Sequence, residues 1–204
     1  AIAFANNLRK ETNLEISFNI FNVSNYTENE IDRVVDLSLN ANFQYIYFAD
    51  THGNLDLNNE MNIFQKKFKL IKENGIKTGM HLHDHLGRAY SNYLICRNSN
   101  LVDICDASFK GMGKGAGNLK LENILDMQQA NNVVSFIGNN TEQFNKNDSP
   151  YYFITSQFGI TDNYGTQAID LKIEYEVFIS FCKTVSGLDK DNFEKSLLPN
   201  YIKT

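Results

Sequence analysis

The sequence predicts an α/β fold built on a parallel sheet, followed by a helical carboxyl-terminal segment. Two observations carry this. Candidate strands begin at Glu15, Tyr45, Lys77, Leu101 and Asn132, and a helical stretch separates each pair through the first four, which is the rhythm of right-handed βαβ units. From Gly138 to Pro150 Asn and Asp crowd together, and beyond that stretch the rhythm becomes helical. The boundary is placed at 147/148, giving segments 1–147 and 148–204.

Taken in order, Glu15 to Asn22 reads as a strand. Thr27 and Glu30 then stand at capping-box spacing before Ile31, Val34, Val35 and Leu39 at helical intervals. Tyr45 to Ala49 is the second strand, and Met61, Phe64, Phe68 and Ile71 mark one face of a helix stopping at Gly75. Lys77 to His83 is the third strand, Tyr90 to Arg97 a helix, Leu101 to Ala107 the fourth strand, Leu121 to Ala130 a short helix and Asn132 to Ile137 a fifth strand. After the boundary come aromatic residues from Tyr151, a long helix over Thr166 to Val185, and a last helix around Phe193 and Leu197 capped by Asp189.

The composition limits the function classes. With 204 residues, 42% hydrophobic and 21% charged, the chain can bury a sizeable core. Nineteen basic against twenty-four acidic residues leave a net charge of −5, which offers no electrostatic footprint for a nucleic-acid backbone. No apolar run approaches the eighteen or so residues of a membrane span. Cys96, Cys105 and Cys182 are odd in number and lack zinc-ligand spacing, so reduced thiols in a cytoplasmic protein are expected. Asn-x-Ser/Thr matches at Asn22, Asn25 and Asn139 carry no weight in so Asn-rich a chain.

Chemistry-bearing residues gather after consecutive strands, where parallel α/β sheets bind ligands. His81 and His83 are two apart on a strand, so both imidazoles face one volume at a spacing suited to a shared divalent metal. The competing reading is a pair of histidines bonded to backbone; a third histidine, His85, favours ligands, with His85 and Asp84 orienting them. His52 reads as an ordinary loop residue. Gly111 to Ala116 satisfies the loose Gly-x-Gly-x-x-Ala dinucleotide pattern, but the expected acidic residue about 20 positions later is missing. The loop instead brings its backbone close to something, with Asn118 offering an amide oxygen. Asp50 is a turn former, and Thr51 offers a hydroxyl to a carboxylate.

Ala49-Asp-Thr-His-Gly53, Gly79-Met-His-Leu-His-Asp-His-Leu-Gly-Arg-Ala-Tyr-Ser-Asn92 and Asp103 to Asn118 together resemble strands five to seven of the 3-hydroxy-3-methylglutaryl-CoA lyase-like (DRE-TIM) metallolyases, closest to 4-hydroxy-2-oxovalerate aldolase. The resemblance covers Ser17 to about Glu122. It implies a partial TIM (β/α)8 barrel, about strands 4–8, since a complete one takes about 250 residues. It also implies a divalent metal, Mn or Mg with Co or Zn as alternatives, held by His81, His83 and Asn118, and a 2-oxo acid carboxylate held by Thr51. Asn92 matches a helix position packing against the loop, and Tyr164 the tyrosine that assists proton transfer in the aldolase branch.

The implied reaction makes or breaks a carbon–carbon bond through the enolate of pyruvate or a similar acid. An acyl-CoA-using Claisen synthase and a non-catalytic barrel fragment are the alternatives. The resemblance further implies a homo-oligomer and, in the aldolase branch, an aldehyde dehydrogenase partner. Two departures stand out. The Gly-rich loop lacks the cysteine of the 3-hydroxy-3-methylglutaryl-CoA lyases, and no Arg-Asp pair supplies a third ligand and an oxyanion-stabilising Arg. Arg9, Asp32 and Arg33 lie on predicted helices and do not substitute. The sequence does not open on Met and on this resemblance starts inside the helix after strand three; the chain alone is expected to be inactive.

Overall fold

A computed structural model describes residues 2–41, 43–144 and 149–203. After helix α1 (Ile2–Glu11), four βα units follow: β1 (Ser17–Ile20), α2 (Glu28–Leu39), β2 (Tyr45–Asp50), α3 (Leu57–Glu73), β3 (Lys77–Leu82), α4 (Ala89–Ser99), β4 (Ile104–Asp106) and α5 (Met127–Asn139). The strands form one parallel sheet in the order β1-β2-β3-β4. The capping box before α2 is present in full: the Thr27 hydroxyl accepts from the Glu30 N–H while the Glu30 carboxylate accepts from the Thr27 N–H.

Strand alternation sorts the side chains into two faces. Ile20, Ile46, Phe48, Met80 and Leu82 point toward the helices and form one apolar cluster with Val35, Phe64, Phe68, Ile71 and Cys96. Phe48 meets Phe64 and Phe68 edge-on, with ring centroids 5.6 and 5.3 Å away. On the opposite, concave face Ser17, Asn19, Tyr45, Tyr47, Ile104 and Asp106 border a hollow of about 420 Å³.

Two expected elements of the sheet region differ. The stretch Asn132 to Ile137 is not a strand but lies within α5, and the helix expected at Leu121 to Ala130 is a 3-10 turn (Leu121–Asn123) followed by the start of α5. Asp126 accepts from the Gln129 N–H and opens α5 as an N-cap, and Phe136 packs beside Phe109 and Phe144 rather than entering the sheet. The partial barrel therefore has four strands among the described residues, not five.

The segment boundary at 147/148 lies outside the described residues. Beyond it α6 (Pro150–Gln157), α7 (Asn163–Asp170), α8 (Tyr175–Thr184) and α9 (Leu197–Ile202) form a second cluster around Tyr164, Phe178, Phe181 and Leu198. The long helix expected over Thr166 to Val185 is broken between α7 and α8, where Lys172 turns left-handed at φ 53°. Asp189 sits in a 3-10 turn (Gly187–Lys190), and α9 starts after Ser196 instead.

Candidate metal centre

β3 lies inside the sheet, and its alternation places His81 on the concave face in line with His83 just beyond the strand. The two rings are 5.2 Å apart between centroids. The loop after β4 returns to the same place. The Asp84 N–H donates to the Gly117 carbonyl at 2.8 Å and the Leu119 N–H to the Leu82 carbonyl at 2.9 Å, so His83 and Asn118 oppose each other as an antiparallel bridge. Opposed residues project to one side, which groups the Asn118 amide with the imidazoles.

Two glycines permit this. A side chain on Gly113 would meet the Asn118 amide at 2.6 Å, and one on Gly115, at φ 62°, would meet His85 Nε2 at 2.6 Å. The glycine run thus brings backbone against the site, as its spacing implied.

Each imidazole has a partner at Nδ1. His81 Nδ1 lies 3.0 Å from Asp106 Oδ2, and a carboxylate oxygen accepts, so Nδ1 carries the proton and Nε2 keeps its lone pair. His83 Nδ1 lies 3.5 Å from His85 Nε2, and His85 Nδ1 lies 3.1 Å from the His52 carbonyl. Burial, reinforced by the neighbouring His85, His81, His52 and Lys114 charges, pushes the His83 pKa down to about 3. Burial also lowers that of His85, against the opposing pull of Asp162 and two carbonyls. A neutral imidazole is the form that binds a metal.

The donor set fits a divalent cation in part. Asn118 Nδ2 donates to the Met112 carbonyl at 3.2 Å, while its Oδ1 is buried with no hydrogen-bond partner, a costly arrangement without a ligand. Two imidazoles and one amide oxygen suit Mn, Mg, Co or Zn. Among the described residues no three His, Cys, Asp or Glu side chains gather as a metal-binding group.

The other expected residues fall in various places. Thr51 lies after β2, where its hydroxyl oxygen accepts from the Asn22 N–H at 3.0 Å and keeps its own proton to donate. Asn92 accepts from the Leu57 N–H and donates to the Leu55 carbonyl, packing against the β2–α3 loop. Asp84 accepts from the Ala89 N–H at the start of α4 rather than from a histidine. Asp50 anchors its loop by accepting from the Leu55 N–H.

Tyr164 is not brought to the histidines: it is fully buried in the second cluster, with its hydroxyl oxygen accepting from the Glu194 N–H. His52 is no ordinary loop residue. It is 2% exposed, its Nε2 lies 3.0 Å from Asp191, and its carbonyl accepts from Ser156 Oγ at 2.5 Å. Three further contacts join the segments beside it. Lys114 pairs with Asp162 at 2.5 Å, and Asn25 Nδ2 donates to the Gly159 carbonyl and to Asp191 Oδ1, each at 3.0 Å. Ser156 and Asp191 are 104 and 139 positions from His52, and Asp162 is equally remote from any local pattern around Lys114, so spacing gave no signal for these contacts.

Comparison with known proteins bears on the family and the fold. The model of the HMGL-like family matches residues 1–145. The N-terminal domain of a candidate aldolase from Bacteroides vulgatus superposes with a TM-score of 0.60 at 18% identity, over 86% of this chain and 60% of that one. The carboxyl transferase domain of Rhizobium etli pyruvate carboxylase with 3-hydroxypyruvate gives 0.60 at 18% identity, over 89% and 35%. A variant of the whole Rhizobium etli enzyme, crystallized without acetyl coenzyme A, gives 0.62 at 17%, over 89% and 21%. The chain thus spans less than two thirds of each of these proteins.

Proposed function

The chain belongs to the HMGL-like family, and on that premise we propose that it carries the metal-binding part of a divalent-metal-dependent lyase of 2-oxo acids, of the 4-hydroxy-2-oxovalerate aldolase kind. The observation that carries the reading is the meeting of His81, His83 and the buried, unpartnered Asn118 Oδ1 on one face of the sheet. These three residues would hold the cation. When bound, the cation supplies positive charge that favours the enolate of a 2-oxo acid. The chain's residues do the rest: Asp106 and His85 fix the two rings through Nδ1, and the free proton of Thr51 is available to a substrate carboxylate. Tyr164 has no part in the proposal, because its hydroxyl is committed inside the tail.

No Arg-Asp pair occurs in the 204 residues, so we propose that this chain by itself binds cation and 2-oxo acid without turnover. Calorimetric titration with MnCl2, with and without pyruvate, tests the reading. Wild type should bind Mn, pyruvate should tighten the binding where acetate does not, and the His81→Ala/His83→Ala double variant should lose it. Equal Mn affinity in wild type and double variant would remove the site, and indifference to pyruvate would remove the 2-oxo acid.

A further inference from the structure

A chain of polar contacts runs from the tail to the candidate centre, and its chemistry fixes the direction of each bond. The carbonyl of His52 accepts only. Ser156 Oγ donates to it at 2.5 Å from α6, and His85 Nδ1 faces it at 3.1 Å. The neutral His85 ring has a single proton. Its other nitrogen, Nε2, faces the Lys114 carbonyl at a longer 3.4 Å and His83 Nδ1 at 3.5 Å. With the proton held at Nδ1 by the shorter contact, Nε2 accepts from His83 Nδ1–H, and His83 is left with its lone pair on Nε2. The Tyr152 ring of α6 stacks 6.3 Å from His85 and holds its plane. Gly115 leaves the room that this ring occupies.

We propose that His85 is a positioning residue for His83, and that Ser156 of the helical tail holds the His52 carbonyl where it fixes the His85 proton, so that the nitrogen of His83 left free to bind a cation depends on the tail. The inference rests on the reading of His83 as a cation ligand. It makes the tail a working part of the site, although the tail contributes no ligand. His81 reaches the same tautomer by a different route, through Asp106 on the adjacent strand.

Nitrogen-15 NMR of the histidine-labelled, metal-free full chain reads the ring tautomers, and titration with MnCl2 reads affinity. Wild type should show His83 protonated at Nδ1. His85→Phe keeps a ring beside Tyr152 but removes the acceptor; it should move His83 toward the Nε2–H form and weaken Mn binding by roughly ten- to a hundredfold, the usual cost of losing a ligand's orienting partner. His85→Gln, whose amide oxygen accepts, should restore both. Ser156→Ala removes only a hydroxyl and serves if His85→Phe fails to fold; it should shift the His85 and His83 ring signals and weaken Mn binding by a smaller factor. An unchanged His83 tautomer in both His85→Phe and Ser156→Ala overturns the proposal, as does unchanged Mn affinity in folded variants of a wild type that binds. A wild type that binds no Mn, yet whose His83 tautomer shifts in His85→Phe, defeats the metal reading and sustains the relay.

Discussion

The sheet region and the tail are held together internally by different means, and they meet by a third. Residues of the sheet region form a layered core in which strand side chains such as Ile46, Phe48 and Met80 pack against α2, α3 and α4. The tail has a separate core, dominated by aromatic rings. Tyr164, Phe178, Phe181, Phe193 and Tyr201 lie in successive contact there, with centroids 5.0–6.1 Å apart. Among the described residues none belongs to both clusters. Across the seam, polar groups do much of the joining: Asn25, His52 and Lys114 on one side, Ser156, Gly159, Asp162 and Asp191 on the other. Apolar burial is non-directional, whereas hydrogen bonds require particular atoms at particular distances. A polar seam therefore fixes how the tail sits against the site loops while contributing little to the stability of either core.

The largest effects should come from breaking each core in turn. Phe48 and Phe181 are both almost wholly buried, and either Phe→Ala change removes a ring at a cost of about 3–5 kcal/mol. Their consequences should differ in place. Phe48→Ala should lower the urea midpoint of the whole sheet region, whereas Phe181→Ala should strip hydrogen-exchange protection from the amides of α7 and α8 and leave β2 and β3 protected. Equal loss of protection in both regions in Phe181→Ala would show one cooperative unit and end the comparison.

A smaller effect separates the regions by pH. Burial lifts the Asp50 carboxyl to about 7, against the hydrogen bonds from Leu55, Asn54 and Gly53 that favour its charged form; its ordinary value is 3.8. The unfolded chain thus gives up this proton near pH 4 and the folded chain near pH 7. The stability it contributes is complete below pH 4 and is lost as pH rises through 7, at a slope approaching about 1.4 kcal/mol per pH unit. Asp50→Asn should flatten that fall in urea titrations between pH 4 and 8. His83 works in the opposite sense: its pKa, lowered to about 3 from 6.5, makes stability fall as pH drops from 6.5 toward 3. Both groups belong to the sheet region, so tail exchange should follow neither slope while that region stays folded. The slope is the readout, because Asp50 Oδ2 has no partner and an amide nitrogen placed there would add its own constant cost.

How far the sequence reveals this arrangement follows from the range over which each signal acts. The four strands, α2 to α4 and the capping box at Thr27 were legible because periodicity and capping are written within a dozen residues. The side-by-side placement of His81 and His83 was legible for the same reason, being two apart, and the return of the loop at Asn118 because a glycine run announces close backbone approach. The Val133-Val134-Ser135-Phe136-Ile137 run misled, since its β-branched and aromatic content suits a strand equally well; the Asp126 cap and the packing of Phe136 on Phe109 and Phe144 decide for a helix. The break at Lys172 has neither Gly nor Pro to mark it. The seam was illegible altogether. Ser156 and His52 are 104 positions apart, and Asn25 and Asp191 are 166 apart; neither pair carries a local pattern, and Tyr164, read as catalytic, has the same composition cue as any packed tyrosine.

The smallest predicted effect bears most directly on the seam. Asn25 Nδ2 donates to both the Gly159 carbonyl and Asp191 Oδ1, and Asp191 in turn faces His52. Asn25→Ala removes two bonds at once, yet water can reach Asp191, whose side chain is 30% exposed, so the net cost should be about 1–2 kcal/mol. That cost should appear as faster exchange at the start of the tail, around α6 and the turn after it, with β2 and β3 amides unchanged. If the β2 and β3 amides lose protection in step with α6, the seam transmits stability as a core would. If only the tail loosens, the polar contacts orient a separately stable unit over the site loops, and the tail's bearing on the site is geometric rather than energetic.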